Sequence, residues 1–323
     1  MNGLDVGLAF DLRSDFEAAA GAPDDALEEY DSVETIDAIA GALERAGHRV
    51  RRLGGGRGLV RALLDAPPEL VFNMCEGWGT RSREAHVPAI CEMLDVPYTH
   101  SDPLTLAASL DKDVAKRLVA SAGVRTPPHI VLNGRVGDLD ALDLPVVVKP
   151  LAEGSSKGIR DGECLIGDRE LLGAAVARMH DDYEQPVIVE QFCPGAEITV
   201  GVLGTGPGAR AIGAMEIEPL DDERLYSLEV KRAFTERVRY HVPARTYAEE
   251  AMEAAVAAHR ALGCRDVSRV DLRVDADGNV AFLELNPLPG IAPGYGDLVI
   301  LAERVGISHD ALIGAIVAEA RSR

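Results

Sequence analysis

Lysine is scarce in this chain. Only five of its 33 basic residues are lysine, at Lys112, Lys116, Lys149, Lys157 and Lys231, and the rest are arginine. Such a chain keeps lysine mainly where a compact, movable ammonium is needed and a planar fork does not serve; phosphate oxygens present that need. Lys116, one helical turn after Lys112, reads as the incidental member, and the other four are candidate site residues. Cysteine is sparse too. Cys75, Cys91, Cys164, Cys193 and Cys264 are odd in number and form no CxxC, which argues against a disulfide framework or zinc site and for a reducing cytoplasm. No apolar run reaches membrane-spanning length, and the opening MNGLDVGLAFDLRSDFE lacks the order of a signal peptide, so no membrane partner is expected. Positive charge is outweighed: 53 acidic residues give a net charge of −20, which argues against a nucleic-acid backbone as partner. Two phosphate-binding fingerprints are missing as well. Gly54-Gly55-Gly56-Arg57-Gly58 lacks the GxGxxG spacing, and no GxxxxGK[ST] occurs.

What is present reads as a globular α/β enzyme of two or three domains, since 323 residues at 47% hydrophobic and 27% charged bury an ample core. Residues 4–10 form a first strand, followed by a polar, mobile-looking segment to about Glu29. Ser32 then opens a helix with Val33, Ile36, Ile39, Ala40 and Leu43 on one stripe, ending at Gly47. Strands at His48–Val50 and Leu70–Asn73 complete a β-α-β-α-β order, which predicts a parallel sheet with helices packed on it. The glycine-rich start of MCEGWGTRSREAHVPAICEML lies where open α/β sheets bind ligands, and it carries the only Trp, Trp78. Glu76, Trp78, Arg81, Arg83 and Glu84 either line a site or form a solvated helix entrance.

Further along, a helix is expected over Ala107–Ala122, then a strand over Pro145–Pro150 that ends in Lys149. The loop Glu153-Gly154-Ser155-Ser156-Lys157-Gly158 follows at once. A strand feeding small, hydroxyl-bearing residues and a lysine brings backbone N–H groups close to phosphates; a plain hairpin turn is the other reading. A helix over Glu170–His180 and strands at Val187–Phe192, Glu197–Leu203 and Ala211–Ile217 come next. Pro219–Arg245 reads as a long polar loop, a lid or a disordered excursion, containing Lys231. Helices are expected over Tyr247–Leu262 and within the tail, Leu298–Arg323.

Between those last helices lies RVDLRVDADGNVAFLELNPLPG, Arg269 to Gly290. Strands at Val270–Val274 and Val280–Leu285 meet at Asp275-Ala276-Asp277-Gly278, where glycine supplies the positive φ of a tight turn. Alternation puts Asp271 with Arg269 on one face, and Glu284, Asn286 and Phe282 on one parity of the partner. The cluster is either a set of oxygen ligands for a hard cation or a pair of solvated carboxylates on an exposed hairpin. A calcium loop over 273–284 is rejected, because Arg273 holds its first position and strands flank it.

Taken in order, Lys112, VVVKP with Lys149, EGSSKG, VEQF-x-x-G-x-E-I-T-V, and RVDL with LELNPLPG resemble the ATP-grasp ligases, specifically the D-alanine–D-alanine ligase group, from about Met74 onward. The resemblance implies a three-domain α/β (α+β) fold: a parallel α/β domain at 1–100, a central ATP-grasp subdomain with a glycine-rich lid at 101–185, and a C-terminal ATP-grasp subdomain at 186–323. It implies ATP and Mg²⁺ as cofactors, with Mn²⁺ able to stand in, and small carboxylate and amine substrates. A cytoplasmic homodimer is implied as well. By matched position the ATP-binding residues are Lys112, Lys149 and Lys231 at the phosphates, Ser155, Ser156, Lys157 and Gly158 as the glycine-rich lid, Glu190, Phe192 and Cys193 at the adenine edge, and Glu197 at the ribose. Asp271, Glu284 and Asn286 bind metal; Arg269, Ser155 and Lys231 are catalytic. Glu76, Trp78, Glu84, Arg232, Pro289, Gly290 and Tyr295 fall at substrate positions, where the chain departs from the family. The HGxxGEDG loop is replaced by Asn73–Gly79, Arg232 stands at the lid tyrosine, Glu28, Glu29 and Ser32 only approximate the N-terminal signature, and Pro293–Gly296 replaces the serine beyond NxxPG. The expected reaction joins a carboxylate to an amine through an acyl phosphate. A true D-alanine–D-alanine ligase and a non-catalytic nucleotide-binding regulator are the alternatives.

Overall fold

The computed structural model describes residues 3–133, 142–160, 162–220 and 225–323. Its first layer is the expected parallel sheet, β1 (Asp5–Phe10), β2 (Arg49–Arg52) and β3 (Leu70–Met74) in the order β2-β1-β3, with α1 (Val33–Arg45), α2 (Gly56–Asp65) and α3 (His86–Met93) around it. Ser32 caps α1 by accepting the Thr35 N–H at 3.3 Å, and Gly47, at φ 89°, lets the chain turn away after the helix. Ile36, Ile39, Ala40 and Leu43 are buried as the stripe predicts; Val33, expected with them, starts the helix and is exposed. The segment before α1 is not loose. Asp25 is fully buried, accepting from the Gly158 N–H at 3.0 Å and the Tyr183 hydroxyl at 2.7 Å.

The single helix expected over 107–122 is two, α4 (Pro103–Leu110) and α5 (Lys112–Ser121). Asp111 leaves helical geometry (ψ 103°), and its carboxylate accepts the Val114 N–H at 3.1 Å. An aspartate that can bond the backbone locally competes with helix continuation and caps a new helix instead. The break sets Lys112 at the first position of α5.

Strands β4 (His129–Leu132), β5 (Val146–Pro150), β6 (Leu165–Ile166) and β7 (Val187–Gln191), with α6 (Arg169–Tyr183), form a four-stranded antiparallel sheet in the order β4-β7-β5-β6. The boundary expected at 185/186 therefore cuts this sheet, since β7 belongs to it. The other end of the central unit moves too, because Ala115, Val119 and Val124 pack in the core of the next sheet.

That sheet has five strands, β8 (Glu197–Leu203), β9 (Arg210–Pro219), β10 (Val238–His241), β11 (Val267–Val274) and β12 (Val280–Asn286), in the order β10-β9-β8-β11-β12. The stretch 219–245, expected as a loop, carries helices at Leu228–Arg232 and Phe234–Arg237 as well as β10; residues 221–224 of it lie outside the described residues. Val230 and Val238 bury against Ile217, which ties the segment to β9. Helices at Arg245–Ala261, Asp297–Arg304 and His309–Arg321 complete the chain. The final hairpin turns where Asp275 accepts from the N–H groups of Asp277 (2.9 Å) and Asn279 (2.8 Å), with Gly278 at φ 82°. Among the described residues no helix is long and apolar enough to cross a membrane.

Candidate active site

Register decides what the hairpin presents. Arg269 pairs with Asn286 and Asp271 with Glu284, then the ladder slips so that Leu272 meets Phe282 and Leu283 is the extra residue of a bulge. Phe282 is thereby turned into the apolar core with Leu272, against the expectation that it shares a face with Glu284. The remaining four polar side chains lie together, as expected. Arg269 donates to Asp271 at 2.7 Å and stands 3.6 Å from Asp297. Burial works against the guanidinium, but Asp271 and Asp297 outweigh it and hold it charged. Asp271 also accepts from the Thr199 hydroxyl at 2.8 Å and the Asn286 amide at 3.3 Å.

Glu284 faces Lys112 at 3.5 Å. Its burial is offset by Lys112, Lys149 and Arg269, and its pKa falls below the usual value. Asp271 goes the other way, raised by burial despite Arg269. Among the described residues no three His, Cys, Asp or Glu side chains form a metal cluster. The hairpin instead offers two carboxylates and an amide oxygen, all hard donors. That set fits Mg²⁺, which is usually held by one or two carboxylates with phosphates and water completing its shell.

All five lysines converge on this region. Lys112 also donates to the Glu153 carbonyl, Lys149 pairs with Glu190, and Lys157 pairs with Glu153 and lies 3.6 Å from Glu29. Lys116 is no accident. It is fully buried, 3.0 Å from Glu190 and 3.3 Å from the Phe282 carbonyl. Lys231 lines the main cavity, where burial lowers its pKa against the pull of Asp297.

That cavity measures about 840 Å³. Lys112, Ser155, Lys231, Arg269, Glu284 and Asn286 line it, as do the substrate candidates Glu76, Glu84, Arg232, Gly290 and Tyr295. A smaller cavity of about 60 Å³ collects Lys149, Glu190, Phe192, Cys193 and Glu197. Burial raises the Glu197 pKa to about 7 even with Arg273 at 3.5 Å. Trp78 and Pro289 line neither cavity. Trp78 is half exposed and stacks on Phe16 at 5.2 Å, a wall of the fold instead of a lining residue.

In the glycine-rich loop Ser155 and Ser156 take left-handed φ values of 51° and 57°, and Gly158 takes 75°. The N–H groups of Gly154, Lys157 and Gly158 are taken by Glu29, the Gly154 carbonyl and Asp25, and those of Ser155 and Ser156 are the two the loop can offer an anion. The loop's edges are held by carboxylates of the first domain: Glu29 accepts the Gly154 N–H at 2.6 Å, as Asp25 does that of Gly158. Glu29 also takes Arg83 at 2.8 Å, and Arg232 bridges to Glu28 at 2.7 Å and Asp24 at 3.1 Å. Burial alone would raise Glu29, yet Arg83 and Lys157 hold it at about 2.

Sequence reasoning missed Asp25, Asp297 and Lys116, and it named Glu29 only as an approximate counterpart. For Lys116 the rarity of lysine was a usable signal; the two aspartates carry none without knowledge of their distant partners.

Two antiparallel sheets facing each other across lysines, with a glycine-rich loop on one and a carboxylate hairpin on the other, define the ATP-grasp fold. Comparison with known proteins agrees. The family described as D-ala D-ala ligase C-terminus matches residues 134–318. The D-alanine–D-alanine ligase of Chelativorans sp. is 34% identical over 300 residues, covering 90% of this chain and 92% of that protein. The Bacillus anthracis D-alanine–D-alanine ligase crystallised with ATP superposes with a TM-score of 0.75 at 20% identity, covering 99% of this chain and 98% of that one. The Enterococcus faecalis VanG D-Ala:D-Ser ligase gives a TM-score of 0.74 at 21% identity, covering 99% and 100%. The chain belongs to the D-alanine–D-alanine ligase family, whose members are ADP-forming ligases.

Proposed function

We propose that this chain joins the carboxylate of one amino acid, or amino-acid-like molecule, to the amine of another at the expense of Mg²⁺–ATP. A carboxylate is a poor electrophile. Its oxygen attacks the γ-phosphorus, ADP leaves, the amine nitrogen then attacks the acyl carbon, and phosphate departs. Such transfers need positioning and charge neutralisation more than covalent participation by the protein. Lys112, Lys149 and Lys231 neutralise phosphate charge, and the N–H groups around Ser155 and Ser156 cradle it. Asp271, Glu284 and Asn286 are the residues that would hold Mg²⁺, which when bound screens the phosphoryl oxygens. Arg269, buried and charged, stabilises the oxyanion at the reacting carbonyl. Glu197 suits a ribose hydroxyl, and the loop 153–158 keeps water from the activated acid.

The observation that carries this reading is the register of Asp271 against Glu284 beside Arg269, with Lys112 3.5 Å from Glu284. A regulator that only bound nucleotide would have no use for an oxyanion donor next to a cation site. The names of the relatives favour D-alanine as both substrates, while the differing residues at Asn73–Gly79, Arg232 and Pro293–Gly296 favour another pair. Coupled measurement of ADP release decides: activity with an amino-acid pool but not with D-alanine alone supports the second choice, and strong release with D-alanine alone sinks it. No release with any amino acid would defeat the ligase reading itself. Five buried free cysteines suit a reducing cytoplasm; the family's homodimer is tested by light scattering on the eluted chain.

A further inference from the structure

The wall of the main cavity contributed by the first domain is acidic in an unbalanced way. Asp31, Glu76 and Glu84 line it, and among the described residues no hydrogen bond or ion pair engages their carboxylates. Other acids along the same wall are already neutralised, Glu28 by Arg232 and Glu29 by Arg83. Glu84 is the sharpest case, since it is only 8% exposed and yet unpartnered. The two cations that reach it electrostatically are engaged elsewhere: Arg83 with Glu29, Glu153 and the Ala152 carbonyl, Lys112 with Glu284 and the Glu153 carbonyl.

A buried carboxylate without a partner is costly, and two beside each other are costlier. The surroundings favour their protonated forms. Burial, reinforced by neighbouring acids, pushes Glu84 up to about 8 and Glu76 well above the ordinary range, and burial with Asp11 pushes Asp31 to about 7. Packing offers no reason to keep acids here, because an apolar residue would fill the wall at lower cost. A cationic ligand would supply the missing charge. An α-amino acid brings one ammonium, whereas this wall presents three open carboxylates. Glu76 lies in Asn73–Gly79, where the chain departs from the family's HGxxGEDG pattern, and Glu84 is the nearest acidic match to that pattern.

We propose that the acid-side substrate is a diamino acid, its second ammonium seated against Glu84 and Glu76. This rests on the ligase reading above and narrows it. The test is a panel of acid substrates, with Mg²⁺–ATP and a fixed amine pool, read as ADP release from the full chain. It compares alanine with 2,3-diaminopropionate, ornithine and lysine, each in both configurations. The expected result is a kcat/KM for at least one diamino acid at least about tenfold above that of alanine of the same configuration. Glu84→Gln and Glu76→Gln should each lower that ratio by about tenfold, the loss of roughly one desolvated charge pair. Neutral amino acids used as well as every diamino acid would overturn the proposal and leave the ligase reading intact. So would an unchanged ratio in both variants, or a shift in the Mg²⁺ requirement in place of the ratio. If a variant fails to fold, the wild-type panel alone decides. Absence of ADP release with every amino acid would sink both readings.

Discussion

Replacing Lys116 with methionine tests whether the lysine cluster is read correctly. The Lys116 ammonium is fully buried, 3.0 Å from Glu190, and Glu190 is also paired with Lys149. At an effective dielectric of about 20, two unit charges at that separation attract by roughly 5 kcal/mol before desolvation is counted. Breaking a buried pair from one side typically costs about 3–5 kcal/mol. Methionine keeps the apolar stem in place, and Lys149 remains to neutralise Glu190, so the lower end applies, about 3 kcal/mol. For a cooperative unit of 150–250 residues that is a fall in Tm of roughly 6–12 °C. Glu190→Gln should be worse, because it leaves two buried ammonium groups facing each other without a counter-charge. The double variant should melt above the sum of the two single losses. Calorimetry without nucleotide measures all three. A Lys116→Met protein melting within about 2 °C of the parent, or a Glu190→Gln protein more stable than Lys116→Met, would refute the assignment of Lys116 as the buried cation that shares Glu190 with Lys149.

If Glu284 holds Mg²⁺ as proposed, Glu284→Ala should abolish turnover, whereas Asp277→Ala at the exposed hairpin tip should leave the rate nearly unchanged; equal losses in steady-state ADP release would undo the site. Arg269→Lys keeps the charge but loses the fork that Asp271 and Asp297 orient, and kcat should fall by about 10²–10³-fold, as for loss of an oxyanion donor. Glu29 and Glu190 are both held at about 2 against an ordinary 4.5, so their contribution to stability is complete above pH 4.5 and is lost as pH falls from there toward 2. Glu29→Gln should flatten that acid limb in a plot of Tm against pH.

Local chemistry was legible and distant pairing was not. The Asp-Gly turn, the alternation of Arg269, Asp271, Glu284 and Asn286, and the Ser32 helix start all depend on residues within a few positions of each other, and all are found. The bulge at Leu283 was not foreseen, because it is set by the need to seat Phe282 in a core assembled from other elements. The break at Asp111 was overlooked although its signal is local: an aspartate followed by a run able to start a helix afresh. Lys116 was misjudged for a different reason. Helical spacing placed it beside Lys112, but its burial depends on Glu190 of β7 and the Phe282 carbonyl of β12, which meet it only once α5 packs against the sheets. Trp78 was weighted for being the only tryptophan, yet it stacks on Phe16, and the acids around it line the cavity.

The distribution of apolar contact shows which part of the clasp can move. The first domain and the five-stranded domain share one core: Leu8, Ile36, Leu43 and Phe72 pack with Leu298, Val299, Leu312 and Ile316. Parting them would expose apolar surface at about 25 cal/mol per Å². The four-stranded sheet is different. Its core, from Leu132 and Val146 to Val187 and Val189, is built from its own residues and α6. Its loop meets the first domain through charge, with Glu29 on Lys157 and Gly154, Asp25 on Gly158, and Asp24 on Arg160. The exposed Asp24–Arg160 pair exchanges for water at little net cost, whereas the Glu29 and Asp25 side chains are buried and give up their partners only at a cost, as shared hydrocarbon does. Opening this edge of the clasp therefore requires Glu29 and Asp25 to let go of Gly154 and Gly158.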